Sequence, residues 1–350
     1  MKAAVSHDPA RFSWDRSAFQ DVAKGVRYGD ADRMVVQSLY RPFHRRWLEA
    51  GKRLNRDRSQ LMKVFTDGSA DNLAIAVPEP GGAAAFSVTC TRWWPDSKLV
   101  GAGNAVHYLP LWIYDSVDLS DAHPELFASG AGTRRHNVTD HTLASFSDLD
   151  DNIARDDIFF YVYGVLHSTD YRTAFAADLK KSLPRVPQVA TPDDFWAFAE
   201  AGRELARLHT EYESVQPWPD LTYTYAAGFD ARHADAYRVL KMKHPKIVNP
   251  ADPDGGKVDD LSRIIYNDWI TIGAIPERAY GYELGPRSAI AWVIESNRVK
   301  TDKPSGIRND PNDWAIEHGD PTYILDLVGR IVTVSMQTLD IVESLPHLDL

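Results

Sequence analysis

The apolar residues of this chain change their spacing near residue 150, and that change most constrains the fold it can adopt. Ahead of it lie short runs with strand character, at residues 34–40, 72–77 and 85–90, divided by turn-forming segments such as PEPGG and GAGN. The run HYLPLWIY, residues 107–114, reads as one more buried strand, and Pro110 places it at an edge or a bend. Residues 115–151 are polar and rich in Ser, Asp and Gly, which reads as a long loop of the kind that often carries function.

Past residue 150 the spacing suits helices. DDIFFYVYGVLH, residues 156–167, predicts a buried helix, and Ser168 before Thr169 and Asp170 offers an N-cap for the next. After the break LPRVP, Thr191 caps a third helix with Pro192 at its first position and two acids in its first turn, where they oppose the positive end of the backbone dipole. Phe195, Phe198, Ala199, Gly202, Leu205, Ala206, Leu208 and Tyr212 form its apolar stripe. Residues 263–275 read as extended chain, residues 287–297 as a short helix around Trp292, and Pro321 opens a long final helix. The fold class is therefore α+β, with a β-rich N-terminal subdomain over residues 1–150 and a mainly α-helical subdomain over residues 151–350.

A chain of 350 residues can bury a core without covalent help, and Cys90, its one cysteine, excludes an internal disulfide and fits a reducing cytoplasm. No apolar run approaches the ~18 residues of a membrane span, and MKAAVSHDPARFSW has no apolar signal core.

The net charge is -10, yet residues 40–63 carry eight Lys or Arg against two acids. A local reversal of sign points toward a polyanion, because cations gathered on one surface displace counterions from phosphates. Arg41, Arg45, Arg46, Lys52, Arg53, Arg56 and Arg58 are candidates for such contacts. A solvated surface run anchored by Trp47, Leu48 and Leu54 explains the same residues.

The search for catalytic chemistry is mostly negative. GAG at residues 101–103 lacks the third glycine of a dinucleotide fingerprint, and no phosphate-cradling GKS or GKT is present. His136, Asp140 and His141 have no established ligand spacing, and a polar loop accounts for them. His167 and His209 lie among apolar neighbours and suit hydrogen-bonded structural roles. DPTY, residues 320–323, resembles the DPPY loop with which adenine methyltransferases hold a flipped base. The residues before it are too polar for the strand that should precede such a loop, and Asp320 with Pro321 explains it as a helix start. The chain therefore offers no catalytic or metal-binding set of its own.

The ordered segments YRPF (40–43), DIFFYVYGVLHSTDYR (157–172), LKKSLPRVP (179–187), FWAFAEAGRELARLH (195–209), RSAIAWVIE (287–295) and VKTDKPSGIRNDPNDW (299–314) resemble the C-terminal specificity region of type ISP restriction-modification enzymes, over residues 12–346. The resemblance implies a target recognition domain for double-stranded DNA. Its partners would be methyltransferase and helicase–nuclease modules on the same or a companion polypeptide. It also implies no cofactor for this chain, with AdoMet, ATP and Mg belonging to those other modules.

Base reading needs paired donors or acceptors, whereas phosphate contact needs only charge. Arg134, Arg135, His136 and Asn137 combine forked donors with an amide and are the base-reading candidates. Lys300, Lys303 and Arg308, interleaved with Ser305, Gly306 and Asn309, are a third DNA-contact group, though Asn309 and Asp310 also suit a purely structural turn. The competing readings are a free-standing methyltransferase-like or metal-dependent enzyme and a scaffold that binds only proteins.

Overall fold

The computed structural model describes residues 20, 24–26, 34–51, 60–82, 85–101, 105–114, 133–249, 251, 255–301, 303, 306 and 308–350. In the front half, β1 (Val35–Arg41) and β2 (His44–Glu49) form an antiparallel hairpin, and β5 (Trp94–Pro95) adds to β1 in parallel. A second sheet places β3 (Ala74–Pro78) between β4 (Thr89–Thr91) and β6 (Val106–Pro110). Past Pro110 the chain bends, and β7 (Trp112–Tyr114) leaves that sheet to pair with β8 (Arg134–His136). A short helix, α1 (Met62–Phe65), packs beside β7.

The region expected to be one long loop contains a helix, α2 (Asp140–Ser147), whose Thr139 cap accepts the Thr142 N–H at 3.2 Å. Then come α3 (Arg155–His167), α4 (Thr169–Ala174) and α5 (Pro192–Thr210). Ser168 and Thr191 cap α4 and α5 as expected, accepting from the Tyr171 and Asp194 amides.

The back half holds more strand than its helical periodicity announces. Among the described residues it contains nine short strands: β9 (Thr222–Tyr225), β10 (Lys246–Val248), β11 (Lys257–Asp259), β12 (Ile264–Ile265), β13 (Ile270–Gly273), β14 (Glu283–Leu284), β15 (Arg287–Ser288), β16 (Lys300–Thr301) and β17 (Arg308–Asn309). They pair as a sheet β12–β13–β9 and three hairpins, β10–β11, β14–β15 and β16–β17. The short helices α6 (Ala289–Ser296) and α7 (Asn312–Glu317) lie among them, and the long α8 (Tyr323–Ser344) closes the chain.

One apolar core runs across residue 150, since Ile75, Val77, Val88 and Cys90 of the front half pack with Phe159, Phe160, Phe198 and Leu205 of α3 and α5. Those two helices approach until their backbones touch. A Cβ on Gly202 would sit 1.9 Å from the Phe160 carbonyl oxygen, and one on Gly164 would sit 2.2 Å from that of Phe198. His209 links three elements in this interior. Its Nδ1 bonds the Tyr163 hydroxyl at 2.6 Å, its Nε2 meets Thr338 Oγ1 at 3.0 Å, and its ring stacks on Tyr282. His167 Nδ1 bonds the Tyr163 carbonyl at 2.9 Å, so both histidines hold the structural roles expected of them.

Candidate nucleic-acid interface

The β1–β2 turn has Pro42 at its first corner and Phe43, with φ 58°, at its second. A bulky residue in the left-handed region costs roughly 1–2 kcal/mol. Burial offsets that cost, because the Phe43 ring packs edge-on to Tyr212 at 5.2 Å and close to Tyr282. The turn is thereby anchored to the core, and the side chains that flank it are held in place.

Strand alternation sends neighbouring arginines of this hairpin to opposite faces. Arg45 turns inward, forks onto the Glu213 carboxylate, bonds Gln37 at 2.9 Å, and lies over the rings of Trp93 and Trp314. The Tyr323 hydroxyl donates to the same carboxylate at 2.6 Å. Arg45 thus belongs to the interior, and its donors are not free for a phosphate. The same bond fixes Tyr323 of DPTY, while Asp320 accepts the Thr322 N–H at 3.1 Å, so this segment is the turn that starts α8.

The opposite face gathers positive charge. The guanidinium carbons of Arg41 and Arg46 lie 4.0 and 4.7 Å from the centre of one ring, that of Tyr40. Arg41 has Asp96 at 3.3 Å, and among the described residues Arg46 has no carboxylate partner. Burial, reinforced by the nearby Arg41 charge, lowers the Arg46 pKa, although Tyr40 opposes the shift. Arg46 Nε donates to His44 Nε2 at 2.9 Å, which requires an unprotonated nitrogen there. Burial first, and then the Arg46 charge, push the His44 pKa down to about 3, so the acceptor stays neutral. Two guanidinium groups framing one aromatic ring, with a single carboxylate between them among the described residues, leave an excess of positive charge on this turn.

His44 also faces Asn297, at the end of α6 and just before β16. Two groups separated by more than 250 positions are thereby brought side by side, since Lys300 and Arg308 sit on the β16–β17 hairpin with Lys303 in its turn region. Lys300 and Lys303 are exposed and form no ion pair among the described residues, whereas Arg308 pairs with Asp310 at 3.2 Å. Asp310 also pairs with Arg238 and accepts the Asn312 N–H at 3.1 Å, so the NDPN turn has the internal scaffolding foreseen for it.

The third group stands apart. No hydrogen bond, ion pair or ring contact between described residues joins β8 to the other two. On β8, Arg134 lies over the Trp112 ring at 4.1 Å, and His136 stacks on that ring with its Nδ1 3.5 Å from Asp156. Arg135 points to the other face, exposed and with no ion-pair partner among the described residues, and the Asn137 backbone amide bonds the Leu111 carbonyl. Asp140 pairs with Arg155, and no group of three or more metal-ligating side chains occurs among the described residues. Lys52, Arg53, Arg56 and Arg58 lie outside the described residues. No helix of the described residues is long and apolar enough to cross a membrane.

Sequence reasoning missed Tyr40, His44 and Asn297 as members of the site. The cation–aromatic adjacency of YR was visible, but the pairing of His44 with a residue at the far end of the chain was not.

The profile of the family described as the Type ISP C-terminal specificity domain matches residues 2–327. Solved structures with the same fold include a nuclease-deletion mutant of the type ISP restriction-modification enzyme LlaGI in complex with a DNA substrate mimic, at 35% identity and a TM-score of 0.75, over 99% of this chain and 28% of that one. The ATP-dependent type ISP restriction-modification enzyme LlaBIII bound to DNA aligns at 31% identity and a TM-score of 0.79, over 97% of this chain and 20% of that one. DrdV in its DNA complex aligns at 29% identity and a TM-score of 0.78, over 100% of this chain and 32% of that one. The chain thus spans about a fifth to a third of the length of these proteins. No curated protein matches it.

Proposed function

The chain belongs to the family of type ISP C-terminal specificity domains, and from that premise we propose that it reads a specific sequence in double-stranded DNA for modules that methylate adenine and cleave the duplex. Catalysis in this reading lies with those modules, which also bind AdoMet, ATP and Mg, and the complex works in the cytoplasm. The observation that carries the reading is the pair of guanidinium groups around Tyr40, which among the described residues meet one carboxylate, that of Asp96.

Arg41 and Arg46 are assigned to backbone phosphates, where charge sets the register of the protein on the duplex without reading sequence. Lys300 and Lys303 extend that contact along the adjoining hairpin. Arg135 and Asn137 are assigned to base edges, because a forked donor suits guanine and an amide suits adenine. Arg134 and His136 support them through the Trp112 stack. Each well-formed bidentate base contact contributes about 1–3 kcal/mol of discrimination.

The test is selection of duplexes from a randomised pool with the 350-residue chain, followed by anisotropy titrations on the enriched sequence. One enriched motif is expected, bound with strong salt dependence. Arg41→Ala with Arg46→Ala should weaken selected and unselected duplexes by the same factor. Absence of any salt-sensitive binding by the folded chain refutes the assignment.

A further inference from the structure

We infer that Lys241 and Lys243, which sequence reasoning did not single out, form a second phosphate-holding strip beside the β16–β17 hairpin; this rests on the DNA-binding reading above. Met242 is buried and both of its neighbours are exposed. In extended chain that alternation puts Lys241 and Lys243 on one side, about 6.6 Å apart, so that each can meet a different phosphate.

Their backbone is rigidly held. The Val299 N–H bonds the Leu240 carbonyl at 3.0 Å, and Lys243 exchanges backbone bonds of 3.1 and 2.8 Å with Ile265. One residue further back, the Asn312 side chain accepts the Val239 N–H at 2.9 Å and donates to the Val239 carbonyl at 2.8 Å. The Leu240–Val299 bond joins the strip to the interface already described, because Lys300 directly follows Val299.

Neutralisation by acidic partners differs along this stretch of chain. Arg238 has Asp310, Lys246 has Asp259 at 3.0 Å, and Arg263 has Asp260 at 2.7 Å. Lys241 and Lys243 have none among the described residues, and neither do Lys300 and Lys303. Four ammonium groups left unpaired around one hydrogen-bonded seam, in a chain of net charge -10, complement a polyanion. The duplex is favoured over an acidic protein segment because the seam is continuous, through Asn297 and His44, with the Arg41–Tyr40–Arg46 site.

The test is anisotropy of a labelled mixed-sequence duplex of about 30 base pairs titrated with the full chain, from roughly 50 to 200 mM KCl. Each phosphate contact contributes about 0.9 to the slope of log K against log salt, so Lys241→Ala with Lys243→Ala should reduce that slope by about 1.8. Lys241→Glu with Lys243→Glu should reduce it further, and the double Lys→Arg variant should restore it. Thermal melts of the same samples check that these surface changes leave the fold intact. An unchanged slope in the Ala pair, with the Arg41→Ala, Arg46→Ala slope lowered, overturns the strip and leaves the DNA reading standing. A wild-type chain that binds no duplex overturns the reading itself.

Discussion

Gly202→Ala sets two well-known effects against each other, and the geometry decides between them. Alanine favours a helix interior over glycine by about 1 kcal/mol. At Gly202 the added methyl would meet the Phe160 carbonyl oxygen at 1.9 Å, and the Gly164 nitrogen at 2.9 Å, whereas ordinary contact begins near 3.4 Å. Relief requires α3 and α5 to part by ~1.5 Å, and overpacking of this kind costs typically 1–3 kcal/mol or more. Both helices are seated in the core shared with the front half, so the upper end applies and the net loss is about 2 kcal/mol. With an unfolding entropy of ~2.1 cal/mol/K per residue, a chain of this length loses roughly 1.4 °C in Tm per kcal/mol, so a fall of ~3 °C is expected. Urea unfolding followed by far-UV circular dichroism gives the same quantity as a shift in midpoint. Gly281→Ala is the matched control, because its methyl would meet only the Leu339 side chain at 3.6 Å. The effect should reach the interface, since α5 leads directly into Tyr212 and Glu213, the residues that hold Phe43 and Arg45. A Gly202→Ala midpoint equal to or above wild type would show that the two backbones are not in contact.

Arg45→Ala should cost about 2–3 kcal/mol of stability, because it strands the Glu213 carboxylate beneath the hairpin, and chemical denaturation of this variant beside Arg46→Ala should show the loss only at Arg45. Arg135→Ala should relax base preference at one position of the selected site while leaving overall affinity for unrelated duplexes intact; a uniform loss across all sequences would move Arg135 to the phosphate group. Stability should fall on acidification between pH 6.5 and about 3. His44 and His209 are each pushed down to about 3 by burial, and an unfolded histidine takes up a proton near 6.5. Within that window the unfolded state binds more protons, so stability rises with pH and is lost as pH falls, by ~1.4 kcal/mol per unit for each group. Urea midpoints at pH 6.5 and 5 should differ accordingly, by about 2 kcal/mol per histidine, and a flat profile there would mean that neither ring is buried in its neutral form.

What the chain discloses about itself follows the range of the interactions involved. α5 was legible because its signals are local: a Thr191 cap, Pro192 in the first turn, and a stripe at helical spacing. β3 was legible as a loosely alternating run over residues 72–77. β2 was not, because HRRWLE has no alternation of apolar and polar residues; what alternates along it is which arginine meets Glu213 and which meets Tyr40. β12 and β13 fall in residues 263–275, which read as extended chain, whereas the other strands of the back half are two to four residues long, too short for any period to register. α2 was hidden inside a polar segment, although Thr139 before Asp140 was a start signal that could have exposed it. The same rule governs the interface. Composition identifies a cationic run, but the role of each member is set by partners far away in sequence: Glu213 lies 168 positions from Arg45, and Asn297 farther still from His44. Adjacent arginines with the same local sequence context therefore end in different physical states, one neutralised inside the fold and the other left charged at its surface. A cationic run specifies how much charge is available, and only the long-range pairing decides how much of it remains for a ligand.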